Sequence, residues 1–177
     1  MPNKTEIRMG GSGGQGVVLA AQILGKAAAL DGKKVLQTQA YGAEARGSLA
    51  KSEVIISDVK IGFPAVRRCD ILVAMSQESL DALLKDLKEN GLLIVDSTNV
   101  KPTEISHKPI HQVPATEIAR TEFGNVLYAN MVMLGALLAM TNLVSRSSLE
   151  QAISETISKK TVEANLNAFR RGLQAQT

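Results

Sequence analysis

One cysteine, Cys69, stands among 177 residues. No disulfide can close within the chain, and an iron–sulfur cluster, which needs about four thiolates, has no ligand set here. Cys69 precedes an apolar stretch and reads as a small buried side chain. A single free thiol and no signal peptide make the cytoplasm the expected compartment. Histidines number two, His107 and His111, with Pro109 between them. Proline breaks the helix that would bring such a pair onto one face, so they read as exposed and non-ligating, and no metal site is expected. Aromatic residues make up 3% and tryptophan is absent. A formal charge of +3, from 20 basic and 17 acidic residues, is small and scattered. Without stacking platforms or a strong basic field, nucleic acid is not an expected partner. The longest apolar run, Met131–Met140, is about half of the ~20 residues that span a bilayer, so it reads as a buried helix and no membrane is expected. There is no G-x-S-x-G elbow.

What the chain has is glycine in one place. Gly10-Gly11-Ser12-Gly13-Gly14-Gln15-Gly16 follows the apolar stretch Ile7–Met9 and opens a helical run, Val17–Leu30. Gly11, Gly13 and Gly16 fit G-x-G-x-x-G, and the run Gly11, Ser12, Gly13, Gly14, Gln15, Gly16 is the candidate binding loop. Glycines let the backbone turn tightly, and the unpaired N–H groups of the helix that follows attract an anion. The competing reading is a tight turn whose glycines serve only close packing. A Walker A loop needs Lys and Ser/Thr where Val17 and Val18 stand. An NAD site wants an acid after the second strand, but Lys34–Thr38 leads into Gln39. The same absence disfavours an S-adenosylmethionine methyltransferase.

With 45% hydrophobic residues, the chain is expected to form one compact domain over residues 1–177. Strands are expected at Ile7–Met9, Val35–Thr38, Ser52–Ser57, Asp70–Met75, Leu92–Val95 and Ile110–Val113. Ser52–Ser57 and Val59–Gly62 read as a hairpin. Helices are expected at Val17–Leu30, Gln77–Glu89 (capped by Ser76), Ala115–Thr121, Met131–Met140 (capped by Asn130) and Thr161–Leu173. Ser147 and Glu150 have the capping-box spacing that starts another helix. Gln39–Ala50 and Lys101–Pro109 read as loops. Alternating strands and helices imply an α/β fold: three layers around a mostly parallel, doubly wound, Rossmann-like sheet, with a helical C-terminal segment. Ligands of such sheets bind at the carboxyl ends of the strands, where Ser76-Gln77 and Asp96-Ser97 join the glycine loop. Ser76 as a plain cap and Asp96 as a plain turn residue are the competing readings.

Tyr41-Gly42-Ala43-Glu44-Ala45-Arg46-Gly47-Ser48 is the second unusual segment. Arg46 offers a planar donor fork for phosphate or carboxylate, and Glu44 can orient it. Taken together, Gly10–Gly16, Tyr41–Ser48 and the strand Lys51–Ser57 resemble the gamma subunit of the 2-oxoacid:ferredoxin oxidoreductases, the family of pyruvate, 2-oxoglutarate and ketoisovalerate enzymes. Val73–Gln77, Val95–Ser97 and Asn130–Ala136 fit that resemblance, which spans about Ile7 to Leu173. Ser48 departs from it, standing where many relatives have a second glycine.

The resemblance implies a function. Such enzymes oxidatively decarboxylate a 2-oxoacid on thiamine diphosphate, pass electrons through iron–sulfur clusters to ferredoxin, and release an acyl-coenzyme A. It implies alpha, beta and ferredoxin-like delta partner subunits that carry thiamine diphosphate, magnesium and the clusters. This chain has no G-D-G…N diphosphate motif of its own. Its expected role is at the coenzyme A side, with Gly11–Gly16, Tyr41, Glu44 and Arg46 as candidate contacts and no catalytic residue assigned. Alternatively, both loops only shape the interface near thiamine diphosphate. Length favours 2-oxoglutarate over pyruvate, branched-chain and aryl-pyruvate substrates. A stand-alone nucleotide-binding module is the rival from another class. The run Met131–Met140 exceeds what one small core needs, so the chain is expected to bury surface against partners, or as a homodimer when isolated.

Overall fold

The structure, a computed structural model, describes residues 4–41, 48–101 and 110–175. Among them are six strands: β1 (Lys4–Ser12), β2 (Lys34–Tyr41), β3 (Leu49–Ser57), β4 (Cys69–Ala74), β5 (Leu87–Asp96) and β6 (Ile110–Val113). The helices are α1 (Val17–Leu30), α2 (Gln77–Leu83), α3 (Ala115–Phe123), α4 (Ala129–Thr141), α5 (Arg146–Thr156) and α6 (Val162–Gly172). All six strands form one sheet in the order β2-β3-β1-β4-β5-β6. β4, β5 and β6 run parallel to β1, whereas β3 runs antiparallel to both of its neighbours. β2 therefore shares the direction of β1, and the mostly parallel α/β sheet is as expected.

Side-chain alternation sorts residues onto two faces. Ile7, Met9, Val54, Ile56, Ile71 and Val73 pack with α1, α4 and the C-terminal helices. Ile55, Leu72, Ala74, Leu93 and Val95 pack with Leu80 and Leu83 of α2. The α4 run from Met131 to Leu138 is buried inside the first of these cores. The apolar helix is thus covered by its own chain, and the reason for expecting it at an interface falls away. Among the described residues, no helix is long and apolar enough to cross a membrane.

Several local expectations give way to packing. Val59–Gly62 forms no strand; β3 pairs instead with β1 on one edge and β2 on the other. Both faces of β3 are buried at Val54, Ile55 and Ile56, which suits an interior strand better than half of a surface hairpin. Gln39–Tyr41 and Leu49–Ala50, read as loop, extend β2 and β3. The helix expected to reach Glu89 stops at Leu83, tightens into a 3₁₀ turn over Leu84–Asp86, and gives way to β5. Leu87 is buried there and pairs with Cys69, and the register shifts before Ile71 meets Leu92.

Two caps move as well. Ser145, not Ser147, caps α5, accepting a hydrogen bond from the Ser148 N–H at 3.1 Å. Asp31, at the end of α1, accepts from the Ser145 N–H at 2.6 Å and from both serine hydroxyls. Burial opposes charge on Asp31, but these hydrogen bonds outweigh it and hold the carboxyl below its ordinary value. Asn130 lies inside α4, whose N-cap is Tyr128.

Candidate functional site

β1 runs through Gly10 and Gly11 and ends at Ser12, inside the glycine segment. The Gly10 carbonyl accepts from the Met75 N–H of the β4 end at 2.8 Å. Gln15 then bridges the gap between the two strands. Its Oε1 accepts from the Ser12 N–H at 2.7 Å, and its Nε2 donates to the Met75 carbonyl at 3.0 Å. Gln15 is therefore a strut of the loop. A β-carbon on Gly11 would strike the Gln15 Oε1 and the Val17 side chain, so that glycine is required by the packing of the loop itself.

Gly14 and Gly16 adopt left-handed backbone, with φ of 94° and 75°. That region strains any other L-residue. Gly14 faces open space, while a side chain on Gly16 would meet Asn130. Within the loop the N–H groups of Ser12, Gly13 and Gln15 are already bonded. No described residue accepts from the N–H of Gly14 or Gly16, and α1 has neither a side-chain cap nor an acid in its first turn. The first turn of an α-helix leaves its N–H groups without intrahelical partners, here those of Val17, Val18 and Leu19. The result is a group of donors at the positive end of a helix dipole.

The structure joins the two loops noted in the sequence. The Gly13 N–H donates to the Ser48 carbonyl at 2.9 Å, and Ser12 pairs with Leu49 in the β1–β3 register. Tyr41, at the end of β2, is 63% exposed and lines one cleft of about 390 Å³ with Ser12, Gly14, Gly16 and Gln39. Glu44 and Arg46 lie outside the described residues, as does His107. His111 sits in β6.

A second cleft, of about 440 Å³, runs from Gly14 and Gly16 past Asn130 to the end of α5. A third, of about 260 Å³, lies between Gly14, Gln15, Met75, Thr116 and Arg120. All three meet at Gly14.

The other strand ends have local duties. Ser76 caps α2, exchanging hydrogen bonds with Ser79. Gln77 bonds Asp81 and the Lys101 N–H. Asp96 is fully buried and accepts from the Thr98 N–H and from Thr116 and Asn99, tying β5 to α3. Ser76 and Asp96 thus serve the cap and the turn.

The contacts of two residues were not foreseen from sequence. Arg8, 3% exposed, pairs with Glu53 at 2.7 Å and Asp86 at 2.6 Å and donates to the Val66 carbonyl. Nothing in its local sequence signals this, because Glu53 and Asp86 lie 45 and 78 positions away. Asn130 donates from Nδ2 to the Gly16 carbonyl at 3.2 Å, joining residues 114 positions apart. A lone amide at the start of an apolar run was its signal.

Comparison with known proteins places this arrangement. The family model described as pyruvate ferredoxin/flavodoxin oxidoreductase matches residues 6–175. The 2-oxoglutarate synthase subunit KorC of Methanocaldococcus jannaschii is 47% identical, over 97% of this chain and 93% of that one. The crystal structure of the keto/oxoacid ferredoxin oxidoreductase gamma subunit from Geobacter sulfurreducens superposes with a TM-score of 0.86 at 40% identity, over 97% of both chains. A 2-oxoglutarate:ferredoxin oxidoreductase from Magnetococcus marinus, solved with 2-oxoglutarate, coenzyme A and succinyl-CoA bound, gives a TM-score of 0.89 at 25% identity, over 97% of this chain and 31% of that one. By the extent of these matches, this chain belongs to the pyruvate ferredoxin/flavodoxin oxidoreductase family.

Proposed function

We propose that the chain is the gamma subunit of a multi-subunit 2-oxoacid:ferredoxin oxidoreductase whose favoured substrate is 2-oxoglutarate. One observation carries the choice of oxoacid. Identity to relatives named 2-oxoglutarate synthase subunit KorC reaches 47% over nearly the whole of both chains, against 36% to a pyruvate synthase subunit PorC. The complete enzyme converts the oxoacid to its acyl-coenzyme A and carbon dioxide and reduces ferredoxin. Alpha, beta and ferredoxin-like delta subunits carry thiamine diphosphate, magnesium and the iron–sulfur clusters. Cys69 alone cannot ligate a cluster.

Within that assembly, the glycine loop receives a phosphate group of coenzyme A. The free donors at Gly14 and Gly16, and the uncapped, acid-free start of α1, suit an anion. Coenzyme A supplies the thiol that takes up the acyl group; the residues of this chain hold and orient its phosphates. Tyr41 and Ser48, which flank the segment containing Glu44 and Arg46, both stand at this loop. In this reading Arg46 adds a bidentate contact to phosphate.

The test is made in the assembled enzyme. Gly14→Val and Arg46→Ala should each raise the KM for coenzyme A, Arg46→Ala by the roughly 1.5–3 kcal/mol of a charged hydrogen bond. Reduction of the clusters by 2-oxoglutarate before coenzyme A is added should change much less. Variants that handle coenzyme A normally but fail to assemble would make both loops purely structural.

A further inference from the structure

We propose that the groove beside the glycine loop is a second subsite, one that takes a neutral N–H-bearing group extending from the phosphate bound at the loop. The inference rests on the reading of that loop as a phosphate site.

Asn130 carries the argument. It is 3% exposed and lines the groove. Its Nδ2 donates to the Gly16 carbonyl, while its buried Oδ1 has no hydrogen-bond partner among the described residues. Reversing the amide would set two oxygens against each other at Gly16, so the free atom is the acceptor. A buried acceptor left without a donor is costly, and few survive in native proteins without a purpose. An oxygen acceptor calls for N–H or O–H. The start of α1 calls for negative charge. Two adjoining places therefore ask for opposite chemistry, which one extended molecule can supply.

The groove walls agree. Leu19, Leu127 and Ile157 are apolar; Thr156, Ser158 and Thr161 bear hydroxyls; none of the lining residues is charged. A charged group would find no counterion there. Coenzyme A offers two neutral N–H-bearing parts on its phosphates: the amides of its pantetheine arm and the amino group of its adenine. Either supplies the missing donor, and about 440 Å³ is within the usual range for small-molecule sites.

Calorimetry on the full-length chain and on the assembled enzyme separates these cases. The probes are inorganic pyrophosphate, 4′-phosphopantetheine, adenosine 3′,5′-bisphosphate and coenzyme A. Thr156→Trp fills the groove from an exposed position at the end of α5, and Asn130→Leu removes the acceptor. Both variants should weaken coenzyme A about tenfold or more while pyrophosphate binding stays the same. Whichever half-molecule loses affinity alongside coenzyme A identifies the tail. Unchanged coenzyme A affinity in Thr156→Trp overturns the inference. So do equal losses for pyrophosphate and coenzyme A in Asn130→Leu, because Asn130 would then act only by holding the loop. If Gly14→Val leaves pyrophosphate and coenzyme A binding intact, or the unsubstituted protein binds neither, the phosphate reading itself fails and the groove falls with it.

Discussion

Gly135 of α4 and Gly172 of α6 lie backbone to backbone, with no room for a side chain between them. A β-carbon on Gly135 would overlap the Phe169 carbonyl oxygen, and one on Gly172 the Val132 carbonyl oxygen. The two glycines let the apolar α4 and the amphipathic α6 touch along their main chains. This approach helps α4 bury its apolar surface within the chain.

Gly135→Ala and Gly172→Ala should each lower stability by about 3 kcal/mol, since overpacking commonly costs 1–3 kcal/mol and backbone is harder to displace than a side chain. Urea denaturation checks this. Gly62→Ala is the control, because a β-carbon there meets nothing within 4 Å. Equal midpoints for the three variants would refute the packing account.

Acid should loosen the sheet through Glu53. Burial opposes its charge, but hydrogen bonds from Lys51 and Arg8 and their positive charges prevail and hold the carboxyl below the ordinary glutamate value. A carboxyl lowered in the folded state adds stability above its unfolded pKa, and that stability is lost as pH falls through the folded value. Glu53→Gln leaves Arg8 buried without this partner and should cost about 3 kcal/mol at pH 7. As pH falls through the lowered folded value and the unsubstituted carboxyl takes up a proton, the two stability curves should converge. A gap that stays constant with pH would show that the charge is not responsible.

Burial pushes the Cys69 thiol up to about 11. The reactive species is the thiolate, so Cys69 should resist a disulfide reagent in the native protein at pH 8 and react fully in denaturant. Rapid native labelling would mean that the start of β4 opens readily.

Catalysis should require the partner subunits. The purified chain, given thiamine diphosphate, magnesium and 2-oxoglutarate, should reduce no dye and show no iron–sulfur absorbance. Its one cysteine motivates this expectation. Dye reduction by the chain alone would contradict it.

The sequence determined whatever depends on neighbours along the chain. The glycine loop is legible because strand, turn and helix follow one another within a few residues, and Val17–Leu30 forms the helix over those same residues. Ser76 was legible as a cap because capping acts over three residues. The paired loops and the strand after them carried the family resemblance. Only the tertiary structure decided matters between distant segments. No local period reveals that β3 inserts between β1 and β2, because strand partnership is set by which edges and faces remain to be covered. For the same reason no local pattern shows that Arg8 meets Glu53 and Asp86. Gln15 looked like a ligand contact until Met75 closed against it. Asn130 looked like a cap until α4 set it on Gly16. Hydrogen bonds reach about 3 Å regardless of separation in sequence, so the chain names the loop, but packing from elsewhere decides which of its polar atoms stay free for a ligand.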